Sequence, residues 1–344
     1  MKKVAFLCGT FSAFSGIERQ VQYQAEARVA AGDTVTVFAF EGDMQPTADY
    51  QLVMLGMPKS ALWQRVFRLL YPLFPWVVAR QVKQLAHFDE VICHQYPLTV
   101  LAASAKKKYG LRYTYFDHGV PPASVMGSWT EKTYIRIFSM LMIPSIRQAD
   151  AVICISRYLQ GEMKRLTGID AKVVYDEYNH RMFHLGVDGA SIRTRFQLGD
   201  RPVILYIGRI APHKNLQDLL RAFALLDPKY RAALVIVGKR TFGSYGKYLD
   251  GLATPGVIFA GYAPEQDIPA YYGAANVYAT TTLWEGYDLP IVEARACGKP
   301  SVMYNIGPHP EIAVEADMLV PRRDIEKFSA ALATQLDRQG FVQT

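Results

Sequence analysis

Short, largely apolar runs that recur between segments of helical period constrain this chain more than any other feature. Lys3 to Cys8, Thr34 to Phe40, Glu90 to Cys93 and Arg112 to Phe116 are strand-length, and the stretches between them carry helical spacing. Strands apolar on both faces need cover on both faces, so the pattern predicts a parallel sheet with helices above and below. In the first helix, expected from about Ile17, the residues Ile17, Val21, Ala25 and Val29 recur every fourth position and define one buried stripe, with Gly32 where a helix would stop. Ala151 to Ile155 and Lys172 to Tyr175 are expected as further strands around a helix from Ser156 to Leu166.

After a mixed, polar stretch from Gly186 to Gly199, a second series begins with Pro202 to Ile207. It continues with Ala233 to Val237, Val257 to Phe259, Val277 to Thr280, Ser301 to Tyr304 and Met318 to Val320. Helices are expected between these strands, including Asn215 to Leu226 and Pro290 to Ala296. A chain of 344 residues exceeds what one core usually serves. The reading is therefore α/β: two Rossmann-like, doubly wound parallel-sheet domains, 1–185 and 186–344, facing across a cleft. Such sheets bind ligands outside the carboxyl ends of their strands.

Composition removes several other classes. Half of the residues are hydrophobic and a fifth charged, as in ordinary globular proteins. The four cysteines are scattered, without metal-ligand pairs or a disulfide framework, which fits reduced thiols and a cytoplasmic location. Lys2 and Lys3 before Val4 to Leu7 imitate a signal peptide, but Gly9, Thr10 and Ser12 cut the apolar run, so a first strand is expected there. No uncharged run approaches the roughly 18 residues of a spanning helix. Up to Leu185 there are 21 basic and 15 acidic residues, and beyond it 17 and 16. The excess sits in the N-terminal half, which fits an anionic surface or acceptor there as well as it fits solubility; no nucleic-acid partner is expected.

Two constellations carry chemistry. Trp284-Glu285-Gly286-Tyr287-Asp288-Leu289-Pro290-Ile291-Val292-Glu293 follows a strand and leads into a helix, with Pro290 suited to the first helical position. Free N–H groups at such a helix start favour a phosphate. Glu293 is expected in the first turn and Glu285 in the loop, two carboxylates able to accept hydrogen bonds from sugar hydroxyls. Gly208-Arg209-Ile210-Ala211-Pro212-His213-Lys214-Asn215 likewise stands between a strand and a helix. There the guanidinium fork of Arg209 and the mobile ammonium of Lys214 suit a diphosphate.

These segments resemble the donor site of the large retaining glycosyltransferase family 4, whose fold is GT-B. The family's Glu, seven residues, Glu motif matches Glu285 and Glu293, and its strand-end Arg and Lys match Arg209 and Lys214. The resemblance implies that Arg209 and Lys214 hold the diphosphate of a nucleotide sugar, Glu293 the ribose hydroxyls and Glu285 the hydroxyls of the transferred sugar. Gly208, Gly286, Tyr287, Asp288 and Leu289 complete the donor-binding set. Before Val203 the likeness is weaker. Ser15-Gly16-Ile17-Glu18 is similar to the family's Gly-rich first loop, where Gly16 would allow close approach of acceptor and phosphate. Asp117-His118-Gly119 stands at a strand end, and there His118 would contact the donor sugar near the reacting carbon. Ala149 to Ser156 matches a structural pattern of the family, and His94 is left outside the catalytic pair Glu285 and His118.

The implied activity is retaining transfer of a hexose, mannose or glucose by family frequency, to a glycan or lipid-linked acceptor. With no Asp-x-Asp motif and no carboxylate placed as nucleophile, same-face attack without a metal is expected, the nucleotide sugar being a co-substrate and no cofactor being required. A non-catalytic subunit that binds nucleotide sugars and an epimerase on the same fold remain alternatives. A dehydrogenase would want Gly-x-Gly-x-x-Gly where Gly9 to Gly16 lacks it. Asp288 stands where the family usually has Gly, and would either cap the helix or compete with the phosphate. Tyr175-Asp176-Glu177-Tyr178-Asn179 replaces the usual Asn-Gly turn. Residues 59–85 combine Trp63, Phe67, Phe74 and Trp76 with Lys59, Arg65, Arg68, Arg80 and Lys83, divided by Pro72 and Pro75. Two short basic, aromatic helices there would place the protein peripherally on the inner face of an anionic membrane, or else pack on the sheet as ordinary crossovers.

Overall fold

The computed structural model describes residues 1–12, 16–240 and 243–341. The chain divides into two compact units, Met1–Ala123 with Ser128–Asp176, and Ser124–Gly127 with Glu177–Thr344. The first holds β1 (Lys3–Phe11), β2 (Thr34–Gly42), β3 (Gln51–Met54), β4 (Glu90–Cys93), β5 (Arg112–Asp117), β6 (Ala151–Cys154) and β7 (Lys172–Val173). They form one sheet in the order β3-β2-β1-β4-β5-β6-β7, every pair parallel. β1 lies at its centre because Val4 to Cys8 offer apolar side chains to both faces, and all five are fully buried.

The second unit holds β8 (Val203–Ile207), β9 (Ala233–Val237), β10 (Val257–Gly261), β11 (Val277–Thr280), β12 (Ser301–Tyr304) and β13 (Met318–Val320). Their order is β10-β9-β8-β11-β12-β13, again parallel throughout. Leu216, Leu219 and Leu220 from one helix and Phe328, Leu332 and Leu336 from another close its core over Ile204, Ala279 and Val302. In each unit the winding reverses once, between β1 and β4 and between β8 and β11. Loops leaving two strands that flank a reversal run to opposite faces, which opens a crevice at the strand ends.

Differences from expectation are local. The first helix, Gly16–Ala30, buries Val21 and Ala25, but Glu18 and Gln20 join them while Ile17 and Val29 stay half-exposed. β7 is shorter than expected and stops at Val173; the Val174 N–H still donates to the Cys154 carbonyl at 3.0 Å, but Val174 and Tyr175 are exposed. The polar stretch after Gly186 contains a short helix, Ala190–Arg195, pinned by the buried Ile192. Residues 59–85 form helices Ala61–Leu70 and Pro75–Val82, separated by a turn containing Pro72. No residue of the first of these is buried, and Leu62, Trp63, Leu73 and Trp76 are each more than 60% exposed. Among the described residues no helix is long and apolar enough to cross a membrane.

Candidate functional site

The crevice of the second sheet is built by the loops that leave β8 and β11. Gly208 follows β8 with φ +155°, and a Cβ there would lie 2.8 Å from the Tyr206 hydroxyl. The Tyr206 hydroxyl donates to the Arg209 carbonyl at 3.1 Å, and the Ile210 N–H donates to Lys239 at 3.0 Å, so the backbone is held while the Arg209 side chain projects outward, exposed. A single turn, Pro212–Lys214, leads to Asn215, buried and left-handed at φ 54°. The Asn215 amide donates to Asp218 at 2.6 Å and to the Thr281 carbonyl at 3.1 Å. The Thr281 hydroxyl returns a bond to the Asn215 carbonyl at 2.9 Å, and the Leu283 N–H donates to the His213 carbonyl at 2.9 Å. Burial, then Lys214 and Arg209, push the His213 imidazole down to about 3, so it stays neutral beside them.

This lacing brings Lys214 against Glu285, and the two form an ion pair whose side chains are only 16% and 12% exposed. Burial pushes the Glu285 carboxyl up, Lys214 draws it back, and the Asp288 carboxylate adds to the rise. A pair so placed costs desolvation on both sides and holds because each charge satisfies the other. Gly286 and Tyr287 lie buried between Glu285 and the helix Leu289–Ala296.

That helix begins at Leu289, one residue before the expected Pro290, and Glu293 is its fifth residue, beyond the first turn where it was expected. The Glu293 carboxylate accepts a hydrogen bond from the Tyr272 hydroxyl at 2.9 Å and is buried. Asp288 is the N-cap residue, at φ +76°, but its side chain accepts no bond from the helix, so it is not the cap the sequence offered. Its carboxylate turns instead to His309, 3.0 Å from Nε2, and His309 Nδ1 meets the Tyr304 carbonyl at 2.7 Å.

In the first unit, Gly16 opens the helix Gly16–Ala30, and a Cβ there would meet nothing within 4 Å. Ser15 lies outside the described residues. His118, just beyond β5, is buried, and its Nε2 is 2.9 Å from Nδ1 of His94. His94 lies between Phe6 and Phe116, its ring stacked on both. Two neutral imidazoles at that distance share a single proton, so Nδ1 is the His118 nitrogen left for any other partner. It stands 3.9 Å from Asp176. Burial pushes His118 down to about 3 and Asp176 up to about 8, which leaves all three groups uncharged at neutral pH. Asp117 is pushed up to about 6 by burial and accepts from the Gly119 N–H at 3.1 Å.

The structure thus gathers Arg209, Lys214, Glu285, Asp288 and Glu293 at one sheet edge of the second unit, and joins His118 to His94 and Asp176 in the first. His309 and Tyr272 were not singled out from the sequence, and nothing near them in the chain marks them. Among the described residues no three His, Cys, Asp or Glu side chains are placed to hold a metal.

Comparison with known proteins gives two family matches, glycosyltransferase family 4 over residues 14–175 and glycosyl transferases group 1 over residues 190–341. The O-antigen chain mannosyltransferase B of Escherichia coli is 28% identical over 216 residues, 60% of this chain and 56% of that protein. A GDP-mannose-dependent alpha-(1-6)-phosphatidylinositol monomannoside mannosyltransferase of Mycolicibacterium smegmatis is 29% identical over 206 residues, 55% and 53% of the two chains. The chain spans about half the length of these curated relatives. The solved structure of Anabaena Alr3699/HepE in complex with UDP and glucose superposes with a TM-score of 0.81 at 20% identity, covering 99% of this chain and 91% of that one. With a family match along most of each compact unit and this likeness over the whole length, the chain belongs to glycosyltransferase family 4 and has the GT-B fold.

Proposed function

We propose that the chain transfers a hexose, mannose before glucose, from a nucleoside diphosphate sugar to a hydroxyl of a glycan or lipid-linked acceptor. The observation that carries this reading is the buried Lys214–Glu285 pair beside the exposed Arg209 at the sheet's winding reversal. A diphosphate there draws Lys214 and Arg209, and releases Glu285 to accept hydrogen bonds from the sugar. The names of the two mannosyltransferase relatives favour mannose.

In the proposed reaction the bond from the anomeric carbon to the diphosphate oxygen breaks as the acceptor oxygen arrives on the same face. Arg209 and Lys214 stabilise the charge that grows on the diphosphate, and the departing oxygen takes the acceptor's proton. Configuration is retained and no metal is needed. Glu285 acts on the transferred sugar and Glu293 on the ribose, as the family resemblance implies.

Unfolding in the presence of GDP-mannose and UDP-glucose tests the donor, because a ligand of the folded state raises Tm. GDP-mannose is expected to stabilise more, and labelled mannose is expected to reach a lipid extract equally with and without chelator. No stabilisation by any nucleotide sugar would overturn the donor site, and transfer lost to chelator and restored by magnesium or manganese would overturn the metal-free mechanism. The exposed Trp63 and Trp76, with Arg65 and Arg80 near them, support an acceptor reached at the cytoplasmic face of an anionic membrane.

A further inference from the structure

Asp288 is an awkward residue for a site that takes an anion. Its backbone is left-handed, a conformation that side chains other than Asn and Asp rarely adopt, and its carboxylate is buried next to the loop that carries Glu285. The contact with His309 changes what that carboxylate amounts to. His309 Nδ1 lies 2.7 Å from a backbone carbonyl, which can only accept, so Nδ1 carries a hydrogen. The 3.0 Å contact between Nε2 and Asp288 then needs one more proton, on the ring or on the carboxyl. In either form the pair is neutral overall. Both partners are buried, His309 completely, and the Tyr304 carbonyl that orients the ring closes β12. The electrostatics at Glu285 show both partners: Asp288 pushes its carboxyl up and His309 draws it down.

Resting on the donor-site reading above, we propose that His309 is a positioning residue of that site. It cancels the charge of Asp288 and ties the start of the helix Leu289–Ala296 to the end of β12, so that the segment 285–289 can receive a diphosphate. Without His309, a bare carboxylate would sit at the helix N-terminus and repel the ligand. Without Asp288, His309 has nothing to cancel, and glycine adopts the left-handed backbone freely. The loss on removing His309 is therefore conditional on Asp288, which a merely structural histidine would not show.

The test is a double-mutant cycle on the whole chain, with GDP and UDP as calorimetric probes and thermal unfolding to confirm each variant's fold. His309→Leu is expected to weaken binding of the preferred diphosphate by at least about tenfold, and the D288G/H309L double variant to bind within about threefold of Asp288→Gly alone. In steady state His309→Leu should raise KM for the nucleotide sugar more than it lowers kcat. If H309L does not fold, H309Q takes its place and D288N/H309Q is the expected rescue, an uncharged pair of similar shape. Unchanged binding by the folded single variant, or an equal loss in both backgrounds, would overturn the role of His309 and leave the donor site standing. A wild-type chain that binds neither GDP nor UDP would overturn both, and is seen before any variant is made.

Discussion

Glu285 is held between Lys214 and His309, which favour its charge, and burial with Asp288, which oppose it. A group balanced in this way responds to charge removal more than to a change of shape. Glu285→Gln is expected to lower kcat by about a hundredfold while changing donor affinity by less than about threefold. Turnover equal to wild type would remove Glu285 from the chemistry. Arg209, Lys214 and Glu285 were legible in the sequence because each stands in a loop that leaves the carboxyl end of a strand and leads into a helix, where position in the chain and position in the site coincide. His309 was not, because it reaches Asp288 only through the fold. The histidines of the first unit give a prediction with a sign. Free histidine titrates near 6.5, but His118 is held down to about 3, so the stability tied to its neutral form is full above 6.5 and is lost as pH falls through that range. Asp176 runs the other way. Raised from 3.8 to about 8, its carboxyl contributes fully below 3.8 and progressively less as pH rises through 8. Asp176→Asn is expected to raise Tm at pH 8.5 and to leave it nearly unchanged at pH 4, and an equal shift at both would refute the buried neutral acid.

At the scale of elements, the central strands were the easiest to read, since a strand segment covered on both faces is apolar throughout, as β8 and β9 are and as β1 is from Val4 to Cys8. Edges were harder. β3 has only four residues with none fully buried, and Gln51-Leu52-Val53-Met54 carries too short a signal to stand out. The helix Ala190–Arg195 was hidden because it buries one residue, Ile192, and one residue has no period. The prolines of residues 59–85 did fix the break between Ala61–Leu70 and Pro75–Val82, while exposure of the tryptophans became visible only in three dimensions. Those two helices are expected to carry the protein to anionic vesicles in flotation and leave it behind with neutral ones. W63S/W76S should reduce recovery by about tenfold, since interfacial insertion of an aromatic ring is what it removes. Equal recovery with both vesicle types, or an unaffected double variant, would refute the surface.

For the whole molecule, two sheets of one kind, each with a single winding reversal, followed from the alternation of strands and helices along the chain. The net charge of +7 lies almost wholly before Leu185. Vesicle binding is accordingly expected to fall steeply as salt is raised, because a Debye length of about 8 Å at physiological ionic strength screens exposed charge. With the proposed donor site at the buried Lys214–Glu285 pair, binding of the nucleotide sugar is expected to change less over the same range. Equal salt dependence of the two would contradict that division.

The reciprocal bonds between Asn215 and Thr281 bear on engineering. Because each residue satisfies a buried backbone carbonyl of the other's loop, neither loop is a separable cassette. A transplant meant to change donor preference would have to carry 208–218 and 280–289 as one graft, and exchanging either alone would leave buried polar atoms stranded in the recipient.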